Sequence, residues 1–146
     1  MFDIEVTEDV IPGLDAWIQQ VPLAVARALY AEAEGIMADS KEHYVPVDFG
    51  VLRDSGTVEE PVIEPTAEGT VISVTMGYGG AAAAYALAVH EHPSGFDPPS
   101  WQVAMATGHG VHFTVGGPKY LELPFNDAAS HLDERLADRL APLVAA

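Results

Sequence analysis

VPVDFGVLRDSG, residues 45–56, is the stretch that decides the fold of this chain. Pro46 fixes one backbone angle and Gly50 tolerates backbone conformations that other residues avoid, so the two residues predict a tight corner. The sequence around Leu52 and Ser55 is typical of a helix exit that turns into a strand. The corner therefore separates a helical amino-terminal part of the chain from a β-rich middle part.

Before the corner, apolar residues recur every three or four positions, which is typical of a helix with one buried face. They are Leu14, Trp17, Ile18, Val21, Val25, Leu29, Ile36 and Met37. Proline is tolerated in the first turn of a helix and disfavoured in its middle. Pro22 therefore predicts a short helix up to about Gln20 and a longer helix from Pro22 to about His43.

After the corner, residues 57–63 and 70–78 predict two strands. In the second strand one face is apolar, and it consists of Ile72, Val74, Met76 and Tyr78. Pro61 lacks the N–H that a strand ladder requires, so the first strand is predicted to be an edge or to carry a bulge. Residues 111–115, VHFTV, predict a third strand by the same alternation.

The remaining segments are less regular. Residues 81–92 fit two structures, because their alanines favour a helix whereas the period-two placement of their apolar residues favours a strand. Residues 93–110 are rich in proline and glycine and predict a long loop. A final helix is predicted from about Leu123, with the apolar stripe Phe125, Ala129, Leu132, Leu136, Leu140 and Leu143.

This order of elements predicts a single α+β domain over residues 1–146. We expect an antiparallel sheet of three or four strands, with a long N-terminal helix and a C-terminal helix packed on it. The chain lacks the alternating βα units of dinucleotide-binding and barrel enzymes, and it contains no nucleophile elbow, phosphate loop or zinc-protease helix. We therefore expect no enzymatic activity and no cofactor.

The charge of the chain is strongly negative. Twenty-two acidic residues against six basic ones give a formal charge of −16. Six scattered cations cannot form the basic stripe that binds phosphates, so nucleic acid and anionic membranes are poor partners. An acidic surface serves solubility, holds a divalent cation, or lines a passage through which a polyanion slides without binding.

Two further observations concern the cellular environment expected for the protein. The chain has no cysteine, which excludes disulfides and cysteine-based zinc sites. Acidic residues in the first ten positions differ from the basic start of an export signal, and the longest weakly apolar run, residues 79–89, is shorter than the roughly 20 residues that span a bilayer. We expect a soluble protein without a membrane partner.

The histidines form the only candidate metal site that the sequence predicts. His90 and His92 would share one face of a strand, and His109 and His112 follow about twenty residues later. Such imidazoles can hold zinc or another divalent cation. This remains an alternative, because Glu91 would face the other side of a strand and no positioned base is evident.

Six residues are candidates for contacts between subunits. Phe96, Trp101 and Met105 are large apolar residues in the predicted loop, and they are either interface anchors or part of the core. Arg53 and Asp54 can pair within one subunit or across an interface. Lys119 precedes a predicted helix, where its charge opposes the helix dipole, so we expect it to meet an acidic group on an adjacent subunit or on a partner protein.

Two more phrases follow the first in a fixed order: YALAVHEHP at 85–93 and GGPKYLELPFNDA at 116–128. In this order the three phrases resemble the small head-tail joining (neck and tail-completion) proteins of tailed bacteriophages. Members of that family typically read Pro-Val-Asp-Thr-Gly-x-Leu-Arg-x-Ser, then Tyr-Ala-x-x-Val-Glu, then Lys-Tyr/Phe-Leu-x-x-Pro. The resemblance covers about residues 20–142. Phe49 stands where the family has a small hydroxyl residue, and His92 with Pro93 replaces the usual glycine.

The resemblance implies a structural virion protein that performs no catalysis. It implies a ring of like subunits, with a hexamer expected, that contacts adaptor, head-closure or tail-terminator proteins at the virion neck after assembly in the host cytoplasm. DNA would pass through the ring without being bound specifically. Two alternatives stay open: an acidic metal-binding enzyme or regulator that uses the histidines, and an acidic inhibitor that mimics nucleic acid.

Overall fold

A computed structural model of the chain describes residues 13–46, 50–91 and 119–145. A long helix, α1 (Leu14–Asp39), continues into one π-helical turn (Ser40–Tyr44). A short helix, α2 (Val51–Asp54), leads into four strands, β1 (Gly56–Val58), β2 (Val62–Thr66), β3 (Gly69–Ser73) and β4 (Met76–Tyr78). A 3₁₀ turn (Gly80–Ala82) and three helices, α3 (Ala83–Glu91), α4 (Glu122–Ala129) and α5 (Leu132–Val144), follow.

The prediction that Pro22 separates two helices is wrong, because α1 runs through it without a break. Proline removes one intrahelical hydrogen bond, the one that would end on the carbonyl of Ile18. Ile18 is about half exposed, so water can hydrate that carbonyl. The rest of α1 lies against other elements, and this packing outweighs the local cost of the proline.

The four strands form two small antiparallel sheets of two strands each, β1 with β4 and β2 with β3; the two sheets follow one another along the chain, and we call them together the β-ribbon. The Glu59 N–H donates to the Thr75 carbonyl, which continues the first ladder, and the second ladder starts with Val62 opposite Ser73. Residues 60 and 61 therefore face the single residue 74, which is a β-bulge. Of the two alternatives predicted from Pro61, an edge or a bulge, this change of register fits the bulge.

Alternation along the second half of the ribbon is also confirmed. Ile72, Val74, Met76 and Tyr78 are partly buried, whereas Val71, Ser73 and Thr75 are exposed. The partly buried face lies toward α1, since α1 contacts β1, β2 and β3. The predicted third strand at residues 111–115 and the predicted loop at 93–110 lie outside the described residues.

The ambiguity at residues 81–92 is resolved in favour of a helix, since α3 spans Ala83–Glu91. The single last helix predicted from Leu123 is instead two helices, α4 and α5, with Ser130 and His131 between them. The Ser130 hydroxyl donates to the Asp127 carbonyl at 2.7 Å, a local bond of the kind that competes with helix continuation. Because the helix is interrupted, α4 buries Pro124 and Ala128 rather than the predicted Phe125 and Ala129.

The element α1 organises the fold. It contacts α5, α4 and the β-ribbon, and α4 also packs on the π-helical turn. The predicted α+β class, with a long N-terminal helix, a C-terminal helix and antiparallel strands, is confirmed. Among the described residues, no helix is long and apolar enough to cross a membrane.

Candidate functional site

The three phrases singled out in the sequence meet in one buried cluster, which we name the junction. It consists of Val45 and Leu52 from the first phrase, Ala86 and Val89 from the second and Tyr120 from the third, together with Ala82. Each of these residues is at most 6% exposed. Residues separated by as many as 75 positions along the chain therefore share one apolar core.

The described parts of the first phrase follow the π-helical turn at one end and begin α2 after Gly50 at the other, and residues 47–49 of the predicted corner lie outside the described residues. The Val45 N–H donates to the Ser40 carbonyl, five residues back, and the extra residue in this turn accompanies the burial of Val45 and Pro46. Gly50, with φ of 81°, precedes α2 in a left-handed conformation that glycine adopts without strain. The chain then enters α2 with Leu52 directed into the junction.

Gly56 lets β1 approach α1 closely. A Cβ atom at this position would lie 2.6 Å from Lys41 Cε, 2.7 Å from Met37 Sδ and 2.7 Å from a Tyr78 ring carbon. These separations are shorter than real Cβ contacts. The end of the first phrase is thus required for the contact between helix and ribbon.

A buried hydrogen-bond network ties the junction together. The Ser40 hydroxyl, which is fully buried, donates to the Tyr120 carbonyl at 2.6 Å. Because a serine has a single hydroxyl proton, the Tyr78 hydroxyl is the donor in its 2.7 Å bond with Ser40 Oγ. The Tyr120 hydroxyl donates to the Ala86 carbonyl at 2.7 Å. Burial raises the pKa of Tyr78, and its hydrogen bond with Ser40 partly offsets that rise.

Aromatic contacts extend the network to α3. The rings of Tyr78 and Tyr120 meet edge to face at 5.0 Å, and those of His90 and Tyr120 at 4.9 Å. Such T-shaped pairs add stabilisation beyond the burial of apolar surface. His90, predicted as a metal ligand, is therefore a packing neighbour of the junction.

Lys119 closes the junction at its surface. Its backbone N–H donates to the His90 carbonyl at 2.7 Å, and its Nζ lies 2.7 Å from Glu91 Oε2 and 3.0 Å from Glu122 Oε2. Hydrogen bonds to Glu91 and Glu122 raise the pKa of Lys119, and hydrogen bonds from Lys119 and His90 lower the pKa of Glu91. Lys119 has a φ of 59°, which is uncommon for a residue with a side chain.

These contacts bear on the prediction that Lys119 meets an acidic group of another subunit. The premise was that the lysine lacks a favourable partner near a helix start. Glu91 and Glu122 of its own chain supply that partner, so the premise is removed. An additional contact of Lys119 with another subunit stays a prediction.

A metal site built on the histidines has one member in the described residues, His90. His90, Glu91 and Glu122 offer ligand atoms within 4.8 Å of one another. However, the Lys119 ammonium already lies against both carboxylates, and His90 Nδ1 is 2.8 Å from Glu91 Oε1. A divalent cation would have to displace an internal cation, which does not favour a metal at this place. His92, His109 and His112 lie outside the described residues.

Arg53 and Asp54 lie on α2 as exposed neighbours, with Arg53 Nε 3.5 Å from Asp54 Oδ1. An exposed pair of this kind contributes little to stability, so both side chains remain accessible to a partner. Asp54 also lines an open groove of about 620 Å³ between α2 and the β-ribbon, together with Val51, Glu59 and Thr75. The other predicted interface residues, Phe96, Trp101 and Met105, lie outside the described residues.

The buried ion-pair cluster between α1 and α5 was not identified by sequence analysis. Glu32 is 5% exposed, and its carboxylate lies 2.6 Å from Arg139 Nε and 3.3 Å from an Arg135 guanidinium nitrogen. Burial raises the pKa of Glu32, but the hydrogen bonds and charges of Arg139 and Arg135 outweigh it, so the pKa lies below its ordinary value. The signal in the sequence was the placement of both arginines one helical turn apart, which is the spacing needed to hold one carboxylate.

Comparison of the chain with family models, with curated proteins and with solved structures finds no match.

Proposed function

We propose that this chain is a head-tail joining subunit of a tailed bacteriophage, and that copies of it form a ring between the DNA-filled head and the tail. The observation that carries the proposal is the junction, in which residues of all three family-like phrases pack together. Short phrases match by chance when they are independent of one another. Here Leu52, Val89 and Tyr120 depend on each other for burial, so the resemblance concerns one packed unit.

The distribution of charge is consistent with passage of DNA. Glu32 is the only charged side chain that is buried in the described part of the chain, so the other described carboxylates lie at or near the surface. Six copies at −16 each would carry a formal charge of −96. Like-charge repulsion from such a ring would keep DNA moving through it rather than bound to it.

Exposed apolar residues provide surface for contacts between subunits. Trp17, Ile18 and Leu23 are between 44% and 52% exposed on the first turns of α1. Because an α-helix has 3.6 residues per turn, these three side chains lie on different sides of α1, and each is a separate exposed apolar anchor of the kind that protein interfaces bury. A ring subunit would bury one or more of them against its neighbour or against an adjoining layer of the neck.

The proposal is tested in a phage whose genome encodes this chain. We expect antibodies against the chain to label purified virions at the neck. Deletion of its gene should leave DNA-filled heads and separate tails in the lysate. Absence of the chain from purified virions, or joined particles after deletion, would contradict the proposal.

Complementation of the deletion identifies the surface that is used. Trp17→Glu should fail to restore joined particles, because it replaces a large exposed apolar side chain of α1 by a charge. Gln19→Glu adds the same charge at an exposed position two residues away and should restore them. Circular dichroism of both purified variants checks that each retains the helical fold.

The metal-binding alternative is tested separately by elemental analysis of purified protein and by thermal melting in chelator. Stoichiometric metal, with a melting temperature that falls on chelation, would favour this alternative. The Lys119 contacts lead us to expect neither result.

A further inference from the structure

The outer half of the β-ribbon, β2 and β3, has two edges with different chemistry. Residues directly opposite each other in an antiparallel pair alternate between pairs that exchange hydrogen bonds and pairs whose backbone groups point outward. Pro65 lies opposite Thr70 and has no N–H, so this is an outward-pointing pair. By alternation, Ile63 and Ile72 also point their backbone groups outward.

Pro65 therefore leaves the outer edge of β2 without one N–H donor, and Pro61 precedes the start of the same strand. This edge is a poor template for another strand. The outer edge of β3 carries intact N–H and C=O groups at Thr70 and Ile72. No other strand lies beside β3 in the described part of the chain.

Charge also distinguishes the two strands. Residues 69–78 carry no charged side chain, whereas the opposite side of the ribbon contains Glu59, Glu60 and Glu64. In a chain with a net charge of −16, two copies repel each other over most of their surface. Along the outer edge of β3, a second copy can therefore lie without placing its carboxylates opposite carboxylates of the first copy.

We infer that two copies of this chain pair through β3, antiparallel to one another about a two-fold axis at Val71. In this register the outward backbone N–H and C=O of Thr70 in one copy form hydrogen bonds with the C=O and N–H of Ile72 in the other. Val71, which is half exposed, then faces Val71 of the partner subunit. Pairing would convert two marginal two-stranded ribbons into one four-stranded sheet.

This dimer is a state of the free protein and differs from the ring contact. A two-fold axis across β3 relates both copies symmetrically, whereas a ring between head and tail requires head-to-tail contacts with one direction. The inference does not depend on the proposed function. Failure of the dimer to form leaves the virion experiments unaffected.

The absence of native cysteine allows a direct test by disulfide formation. Val71→Cys would place two thiols in a non-hydrogen-bonded pair, where Cα atoms lie about 4.5 Å apart, a separation that a disulfide accepts. Thr75→Cys is the matched control on the same exposed face. In the proposed register its two copies lie roughly 26 Å apart, too far to bridge.

We expect Val71→Cys to form a covalent dimer under mild oxidation and Thr75→Cys to stay monomeric. Equal cross-linking of both variants would indicate random collision and would overturn the register. No cross-linking of Val71→Cys at a concentration where the protein has twice the 15.5 kDa monomer mass would also overturn it.

A second pair of variants tests the hydrogen bonds themselves. Thr70→Pro removes an outward N–H without removing a bond inside the ribbon, and Thr70→Ala keeps that N–H. Native mass spectrometry should show loss of the dimer with Thr70→Pro and its retention with Thr70→Ala. Added salt should increase the dimer fraction, because it screens repulsion between the acidic copies.

Other occupants of this edge give different results. If another segment of the same chain covers β3, the protein is a 15.5 kDa monomer and Thr70→Pro lowers its melting temperature, which overturns the inference. If copies join head to tail, species larger than a dimer form without cross-linking through Val71→Cys, which overturns it as well.

Discussion

The two ends of the β-ribbon have the same local structure and opposite surroundings. At the base, the residues of β1 and β4 are partly or fully buried apart from Thr57, and the Tyr78 hydroxyl forms a hydrogen bond with the buried Ser40 hydroxyl. At the tip, every residue of β2 and β3 is exposed except Ile72, which is partly buried. The bulge at Pro61 separates the two ends.

Strand formation and burial are therefore separate consequences of the sequence. Alternation and turn residues produce the ladder at both ends, and α1 contacts both, but the base also packs against the junction through Tyr78. Stability should therefore depend on the base, and association should depend on the tip.

The largest effect is expected at the base, from Gly56→Val. The new side chain would begin within 2.7 Å of side-chain atoms of Lys41, Met37 and Tyr78, so these side chains or β1 must shift. We expect the free energy of unfolding to fall by about 3 kcal/mol. Urea unfolding followed by circular dichroism measures this change.

Gly77→Val provides the matched control. Gly77 lies in the paired strand β4, and a Cβ there would meet nothing within 4 Å. We expect little change in stability. Equal losses for the two variants would show that any valine is harmful in this ribbon and would contradict the packing argument.

The next largest effect is expected from Glu32→Gln, which acts on the contact between α1 and α5 and not on the ribbon. The change removes a buried carboxylate that two arginines neutralise, and we expect a loss of about 2 kcal/mol at neutral pH. The pKa of Glu32 is lower in the folded chain than in the unfolded one. Its contribution is therefore complete above the unfolded pKa and disappears as the pH falls through the folded pKa.

The pH dependence gives the measurement. Urea unfolding at neutral and at acidic pH should show that the difference between wild type and Glu32→Gln shrinks in acid. Glu34→Gln is the control, since Glu34 is exposed on the same helix. A difference that stays constant with pH would contradict the role of the Glu32 charge.

A smaller effect is expected from Ser40→Ala, which leaves the Tyr120 carbonyl without the serine donor and removes a bond of Tyr78. We expect a loss of about 1.5 kcal/mol, because buried polar groups lose partners. Thr70→Ala at the ribbon tip changes a hydroxyl that is exposed and should cost almost nothing. If the two substitutions cost the same, the base and tip do not differ as described.

Much of the fold follows from local patterns in the sequence. The apolar spacing predicted a helical N-terminal part, Pro61 indicated a bulge or an edge, and the alternation of apolar and polar residues predicted the partly buried face from Ile72 to Tyr78. These features depend on residues close together in the chain. The break predicted at Pro22 is wrong because the packing of α1 outweighs the unfavourable local effect of the proline. The break at Ser130 was not predicted because the apolar stripe continues regularly through it.

The site was less predictable because it depends on distant partners. The phrases identified Leu52 and Tyr120, but no local pattern reveals that Ser40 lies between Tyr78 and Tyr120. Glu32 is polar and off the apolar stripe, and its burial follows only from the arginines of α5 more than a hundred residues away. Lys119 was judged by its neighbours in sequence, whereas Glu91 is its partner in space.

The smallest effect is expected from Lys119→Gln at the surface of the junction. The ion pairs with Glu91 and Glu122 are partly exposed to solvent, which weakens them, and the strained φ of Lys119 remains with glutamine. We expect a slight fall in melting temperature at low ionic strength that vanishes with added salt. Lys119→Gly removes the same charge but relieves the backbone, so it should melt above Lys119→Gln. If Lys119→Gln instead lowers the stability as much as Ser40→Ala does, and added salt does not change this loss, the Lys119 side chain is part of the buried core rather than an exposed ion pair at its surface.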